Sequence, residues 1–583
     1  MTQQEVIESL PAHLRPFVKT QNYEDYTPRD HAVWRFVMKH LVRQLADSAH
    51  PVYRAGLSKT GITMDQVPSI EEMNRCLAML GWRAVVVDGF LPPAIFMEFQ
   101  SLKVLVIAIE MRSVEHIFYT PAPDIIHEAA GHAPFIVDVD YAEFLQRFGE
   151  VGMKAIATRH DLEQYEAIRK LSILKECPSS DPGDIAKAQA VLERLMKSDA
   201  PLSEAARLTR LHWWTVEYGL VGSVDDYRLF GAGLLSSLGE SRHCLDDEAV
   251  KKVPLTVNAV EQPYDITHQQ PTLFVTKSCK HLTQVLEEFA ASMCYQRGGA
   301  DSVRRAIDAE SVCTVELDTG TQMSGRFSEV LCDAVGNATY VRTVGATQLA
   351  HNGTQIYGHG IEKHSHGFGS PIGYLKDFSR CLSAYTVDEL KAHQIEVGKR
   401  VELEYLSGIT VKGMLQAIVR QDQKNLVLSF LDCSVTDLDG GVHFAPDGGT
   451  YDLLVGGRIT SVFGGAADRL KLQLFKPTPR TKTIQVEPDA DLMEAYREVA
   501  CINASNQTRS AAELPKSVCR ALQLYPDEWL LRVELLGSAN PALSTRLHGE
   551  LAAISGLDEE LVRLLALSPP EPGNPSFAVQ EAS

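Results

Sequence analysis

Apolar residues recur along this 583-residue chain with two different spacings, and the change comes near residue 310. Before it, runs such as SIEEMNRCLAMLGW (69–82) and HLTQVLEEFAASMCYQR (281–297) space apolar positions three and four apart, the helical period. Residues 21–154 and 206–300 are therefore predicted to be mainly helical, behind a short lead over 1–20. Between them, about 155–205 is polar and charged, with CPSSDPGD flanked by two helical stretches. It reads as a helical-hairpin insertion, a solvated excursion more than a lid or a dimer contact. After 310, short β-branched runs alternate with glycine-rich turns: VCTVEL, ATYVRTV, RVELEYL, ITVKGML, LVLSFL, YDLLVGG and LKLQLF (470–475). That texture predicts an all-β barrel or sandwich over 310–475. A linker, KPTPRTKT (476–483), leads to renewed helical spacing over 484–568. The tail 569–583 has the composition of a disordered segment. The fold class is α+β and multidomain, and the shifts in texture mark expected unit boundaries.

Composition narrows the classes of function. Hydrophobic residues make up 45% and charged ones 22%, the balance of a soluble globular protein. The net charge of -19 is spread along the chain and disfavours nucleic acid or an anionic membrane as partner. The start, MTQQEVIESLPAHLRPF, lacks the basic and apolar parts of a signal peptide, and no apolar run approaches the roughly 20 residues that span a bilayer. The eleven cysteines form no C-x-x-C pair, as expected of free thiols in a reducing cytoplasm.

The densest chemistry lies in His127-Glu128-Ala129-Ala130-Gly131-His132. Imidazoles are strong metal ligands, but these two are five apart. On an ideal α-helix they would diverge by roughly 140°. A shared metal requires a helix distorted or ended between them, and Gly131 offers backbone freedom there. The zinc-peptidase spacing of four does not apply, and ordinary surface histidines are the alternative. Further on, ARLTRLHWWTVEYGL (206–220) sets Glu217 among aromatics, where a bare charge is costly. Two imidazoles and one carboxylate make the facial triad that leaves positions open on ferrous iron. A salt bridge from Glu217 to Arg207 or Arg210 competes equally with that reading.

Five separated runs, in order, resemble the tetrahydropterin-dependent aromatic amino acid hydroxylases: QNYEDYTPRDHAVWRFV (21–37), GFLPPAIFMEF (89–99), YTPAPDIIHEAAGHAP (119–134), WWTVEYGL (213–220) and FGAGLLSSLGE (230–240). The resemblance covers roughly residues 21 to 300, and the expected catalytic domain is 21–305. It implies an enzyme that uses Fe(2+), tetrahydropterin and O2 to hydroxylate an aromatic amino acid. It implies His127, His132 and Glu217 as iron ligands and Arg112 as the holder of the substrate carboxylate, oriented by Asp124. Thr120, Trp213 and Ser236 correspond to residues around the substrate, with Ser236 also fixing His127. Gly89, Leu91, Phe96 and Glu128 correspond to the pterin site. Ala94, Val106 and His212 stand where many members carry arginine, histidine and tyrosine, a departure that bears on the pterin and not on the iron ligands.

Trp213, and Ile266 where tyrosine hydroxylases carry a charge, favour phenylalanine hydroxylated to tyrosine. Tryptophan hydroxylation is the runner-up, and a non-catalytic scaffold the rival from another class. Residues 310–583 resemble nothing named. Within them YGHGIEKHSHGFGSP carries His359, His364 and His366. Histidines two apart on a strand share a face, which would suit a second metal. Glycine-rich loops also gather histidine without binding anything.

Overall fold

The computed structural model describes residues 1–87, 91–118, 123–176, 180–198, 200–265, 268–477, 489–505, 507–554 and 559–566. The tail 569–583 and most of the linker expected at 476–483 lie outside the described residues.

The half of the chain before residue 310 is more mixed than its helical patterning predicts. Its longest core helix, Pro28–Gln44, starts on a capping box in which Thr27 and Asp30 satisfy each other's backbone amides, with Pro28 at the first position. It buries Val33, Trp34, Phe36, Val37 and Leu41. Strands Arg83–Val87 and Val104–Ala108 run parallel, with helix Pro93–Ser101 between them in sequence. Strand Val18–Lys19 closes this sheet's edge, and the lead packs Val6, Leu10, Leu14 and Phe17 against it. A second small sheet orders Tyr227–Leu229, Leu220–Gly222, Thr272–Thr276 and Lys251–Pro254. Within 155–205, helices Arg159–Glu176 and Pro182–Met196 pack on each other.

Residues 312–464 form two antiparallel sheets. The first has six strands: Val312–Leu317, Thr321–Cys332, Ala338–His351, Thr354–Gln355, Gly367–Pro371 and Ile459–Gly464. The second has five: Arg400–Glu404, Thr410–Gln421, Lys424–Thr436, Val442–Phe444 and Tyr451–Leu454. Each is open at its edges, so neither is a closed barrel. The alternating LKLQLF at 470–475 is not a strand: it finds no pairing partner, and Leu470 and Leu474 stay exposed.

The chain ends in helices Ala490–Ala504, Lys516–Leu524, Trp529–Leu536, Pro541–Ala553 and Glu559–Ala566. They share one apolar core with the half of the chain before residue 310. Trp529 meets Phe36 edge-on at 5.1 Å, and Arg29 and Arg35 of helix Pro28–Gln44 pair with Glu528 and Glu534.

Candidate active site

The five-residue spacing of His127 and His132 is resolved by the backbone. Residues Ile126–His132 form a π-helix. A turn closed by i→i+5 bonds stacks residues five apart nearly above one another. The divergence expected of an α-helix therefore disappears, and the two Nε2 atoms stand 3.2 Å apart. The helix Glu204–His212 likewise passes into a π-helical turn, Trp213–Glu217, that delivers the third group. Glu217 Oε2 lies 3.2 Å from His127 Nε2, and Oε1 lies 3.4 Å from His132 Nε2.

Gly131 serves this site by its smallness, not by the backbone freedom expected of it. A Cβ there would stand 2.8 Å from the carbonyl oxygen of Ala232, so only glycine lets the π-helix rest on helix Ala232–Ser236. Gly231 does the same for the other partner, since its Cβ would come within 2.4 Å of the Glu217 carbonyl oxygen. These approaches bring Ser236 beside His127. Ser236 Oγ donates to Ala232 O at 2.7 Å and stands 2.9 Å from His127 Nδ1. With the hydroxyl proton committed to the carbonyl, Nδ1–H is the donor to Oγ, which leaves Nε2 as a bare lone pair.

Electrostatics agree with that geometry. Burial alone would raise the Glu217 carboxyl, but His132 and His127 hold it well below the usual carboxylate range. Burial pushes Glu128 the other way, to about 8, with the Glu217 charge adding to it and His132 opposing. Burial also lowers His212 to about 4. The salt bridge from Glu217 to Arg207 or Arg210 does not form: Arg207 binds the Glu261 carboxylate and Arg210 the Glu261 carbonyl. Among the described residues the ion-pair partners of Glu217 are imidazoles alone, those of His127, His132 and His212. Three donors about 2.1 Å from one ion stand about 3.0–3.4 Å apart. Here the two nitrogens stand 3.2 Å apart and each faces a different oxygen of Glu217, at 3.2 and 3.4 Å, so the carboxylate spans both imidazoles; one donor atom from each residue lies within 4.8 Å of the others, close enough to share a divalent cation.

Around these donors, Arg112 is 6% exposed and forks onto Asp124, Nε to Oδ2 at 2.6 Å and Nη2 to Oδ1 at 2.9 Å. Asp124 also accepts from the His127 amide at 3.0 Å, so it orients the arginine and caps the first turn of the π-helix together. Although burial would raise its carboxyl, Arg112 holds it below the ordinary value. Trp213 stacks on Tyr264 at 4.4 Å and on Tyr218 at 4.6 Å. Phe96, half-buried on helix Pro93–Ser101, meets the His212 ring edge-on at 5.9 Å, and Leu91 is half-buried just before that helix. Glu128 Oε2 stays 3.9 Å from His132 Nε2. Gly89, Thr120 and Ile266 lie outside the described residues.

Two groups had no signal of their own in the sequence. Tyr264 reaches Trp213 from a distant loop. His212, visible only as a departure from the family pattern, places Nδ1 3.7 Å from Glu217 Oε1, and its buried Nε2 has no hydrogen-bond partner among the described residues.

Comparison with known proteins bears on the same span. Residues 17–172 and 188–298 match the family model described as biopterin-dependent aromatic amino acid hydroxylase, and the break falls within the paired helices of 155–205. Similar proteins include phenylalanine-4-hydroxylases from Pseudomonas aeruginosa, 27% identical over 46% of this chain and 87% of that protein, and from Ralstonia nicotianae, 28% identical over 46% and 73%. A crystal structure of phenylalanine hydroxylase from Chromobacterium violaceum, with bound iron(III) and 7,8-dihydrobiopterin, aligns at 24% identity with a TM-score of 0.38, covering 50% of this chain and 90% of that one.

Proposed function

We propose that the span matched at residues 17–172 and 188–298 is a biopterin-dependent aromatic amino acid hydroxylase domain, and that this protein hydroxylates L-phenylalanine to L-tyrosine. One observation carries the reading: two π-helical turns bring His127, His132 and Glu217 together, and among the described residues no lysine or arginine pairs with that carboxylate. The relatives named phenylalanine-4-hydroxylase supply the substrate class.

In this reading His127, His132 and Glu217 would hold ferrous iron, with two imidazoles and one carboxylate leaving coordination positions free for its chemistry. When bound, iron and tetrahydropterin supply the electrons and the activation of O2 that hydroxylation needs. The protein's own contribution is position and charge. Ser236 keeps His127 Nε2 deprotonated and aimed inward. Glu217 stays ionised beside the imidazoles and offsets the charge of the cation. Arg112, locked by Asp124 along one edge and donating from Nη1 to the Ile117 carbonyl, would offer the N–H groups left over to the substrate carboxylate. The stacked Trp213 and Tyr264 give the substrate ring an aromatic wall. Phe96 and Leu91 flank the pterin, and the unpartnered His212 Nε2 offers that side of the site a hydrogen bond. Glu128, whose carboxyl burial raises to about 8 before any cation is bound, stands beside His132 on the side of the site that the resemblance gives to the pterin.

The test offers phenylalanine, tyrosine and tryptophan separately to the full-length protein with Fe(2+) and reduced pterin. Tyrosine as the main product supports the reading. Hydroxylated tryptophan, or pterin oxidation with no hydroxylated amino acid, overturns it.

A further inference from the structure

We propose that His359, His364 and Asp452 form a second metal site, for a divalent first-row transition ion of the zinc class, which ties the turn 356–366 to the second β-sheet. The proposal is independent of the hydroxylase reading, since these residues lie in the β-rich half.

Spacing alone suggested His364 and His366 as a pair, but residues 361–366 are a turn rather than a strand, and His366 is exposed. The residues brought together are instead five apart. The Leu349 amide donates to His359 O at 2.9 Å, and the Thr347 amide donates to His364 O at 3.0 Å. Both histidines are thereby pinned against strand Ala338–His351, and His359 Nδ1 stands 3.2 Å from His364 Nε2. Across the gap, strand Tyr451–Leu454 presents Asp452, whose Oδ2 lies 3.8 Å from each of those nitrogens. Its other oxygen, Oδ1, accepts from the Ser429 hydroxyl, which fixes the carboxylate with Oδ2 toward the imidazoles.

All three groups are buried, at 3%, 7% and 4% exposure. Burial disfavours the charged form of both rings, lowering His359 and taking His364 to about 4. Tetrahedral donors about 2.1 Å from a zinc ion stand about 3.4 Å apart. Edges of 3.2, 3.8 and 3.8 Å reach that by small side-chain rotations. Lys363 Nζ sits 2.9 Å from Asp452 Oδ2, the one cation in the cluster. Its side chain is 37% exposed, so it can swing to water when an ion arrives. A lysine salt bridge accounts for the carboxylate, but it does not require two neutral imidazoles aimed at the same oxygen. With three donors and little access to solvent, the site is built to hold an ion and not to turn over a substrate. Its role is that of a staple.

The experiment titrates metal-free, full-length protein with Co2+, counting bound ions by equilibrium dialysis and following d–d absorption. The wild type should bind two ions per chain, the H127A/H132A chain one, and the H127A/H132A/D452N chain none. Co2+ should raise the melting temperature of H127A/H132A and leave that of the D452N derivative unchanged. Lys363→Gln, which removes the competing cation and keeps every donor, should tighten binding severalfold. No bound ion in H127A/H132A, or unchanged stoichiometry on adding D452N, overturns the site. Loss of stability without tighter binding in Lys363→Gln gives the carboxylate to the lysine and overturns it as well.

Discussion

His127 depends on two small contacts, and each predicts a consequence for the metal. Ser236→Ala removes the acceptor that fixes the imidazole's tautomer, and iron affinity should fall about 10- to 100-fold. Gly131→Ala places a methyl 2.8 Å from the Ala232 carbonyl and should cost the folded protein its iron while leaving overall helicity intact. Both are read as iron bound per chain at a fixed free concentration; unchanged iron in either would detach the 232–236 helix from the site. At Arg112 a lysine keeps the charge but cannot fork onto Asp124 and a substrate carboxylate together. Arg112→Lys should raise KM for the amino acid about 10- to 100-fold, the worth of a charge-assisted hydrogen bond, with iron content unchanged. The chemistry of these residues was legible because imidazole, carboxylate and guanidinium state their uses by type. Their surroundings were less so: Tyr264 joins Trp213 from fifty residues away, and nothing near either marks the pairing.

At the scale of elements, the sequence showed that helix and metal conflict at His127–His132 but not how the conflict ends. The stretch AAG does not prefer a π turn; packing of 232–236 against Gly131 decides it, and that contact is long-range. Alternation misled at LKLQLF for the converse reason, a local period with no neighbouring strand to pair with. The helix Pro93–Ser101, which carries Phe96, is held by a tie that no pattern announces. Glu98 is 2.8 Å from both His13 of the lead and Arg469 of the segment after the last strand. Burial would raise the Glu98 carboxyl, yet His13 and Arg469 hold it below its ordinary value. Such a group stabilises the fold above the carboxylate's unfolded pKa, and the contribution is lost as pH falls through the lower, folded value. Glu98→Gln should therefore cost about 3–5 kcal/mol near neutrality, as removing one partner of a buried pair does. The gap from wild type should close below about pH 4. Denaturant melts at both pH values check this, and a gap that persists in acid would assign the loss to packing.

Over the whole molecule, the C-terminal helices continue the catalytic core across the face of helix Pro28–Gln44. Composition distinguished these regions but carried no sign of the docking, which rests on Phe36 against Trp529 and on Arg35 with Glu534. Trp529→Ala should destabilise the catalytic half by about 3–5 kcal/mol although it lies far from the iron ligands in sequence. Unfolding followed by the signal of bound iron should shift with the global melt; an iron signal that melts at the wild-type midpoint would show the helices to be energetically separate. The central claim is that one triad, His127, His132 and Glu217, holds the iron that turns phenylalanine into tyrosine. Its most direct test is a single turnover under oxygen-18 gas with phenylalanine, Fe(2+) and tetrahydropterin, run on wild type and Glu217→Ala. The account predicts tyrosine carrying one labelled oxygen from the wild type, and neither bound iron nor labelled tyrosine from Glu217→Ala. Unlabelled tyrosine, or labelled tyrosine in equal yield from both proteins, would contradict it.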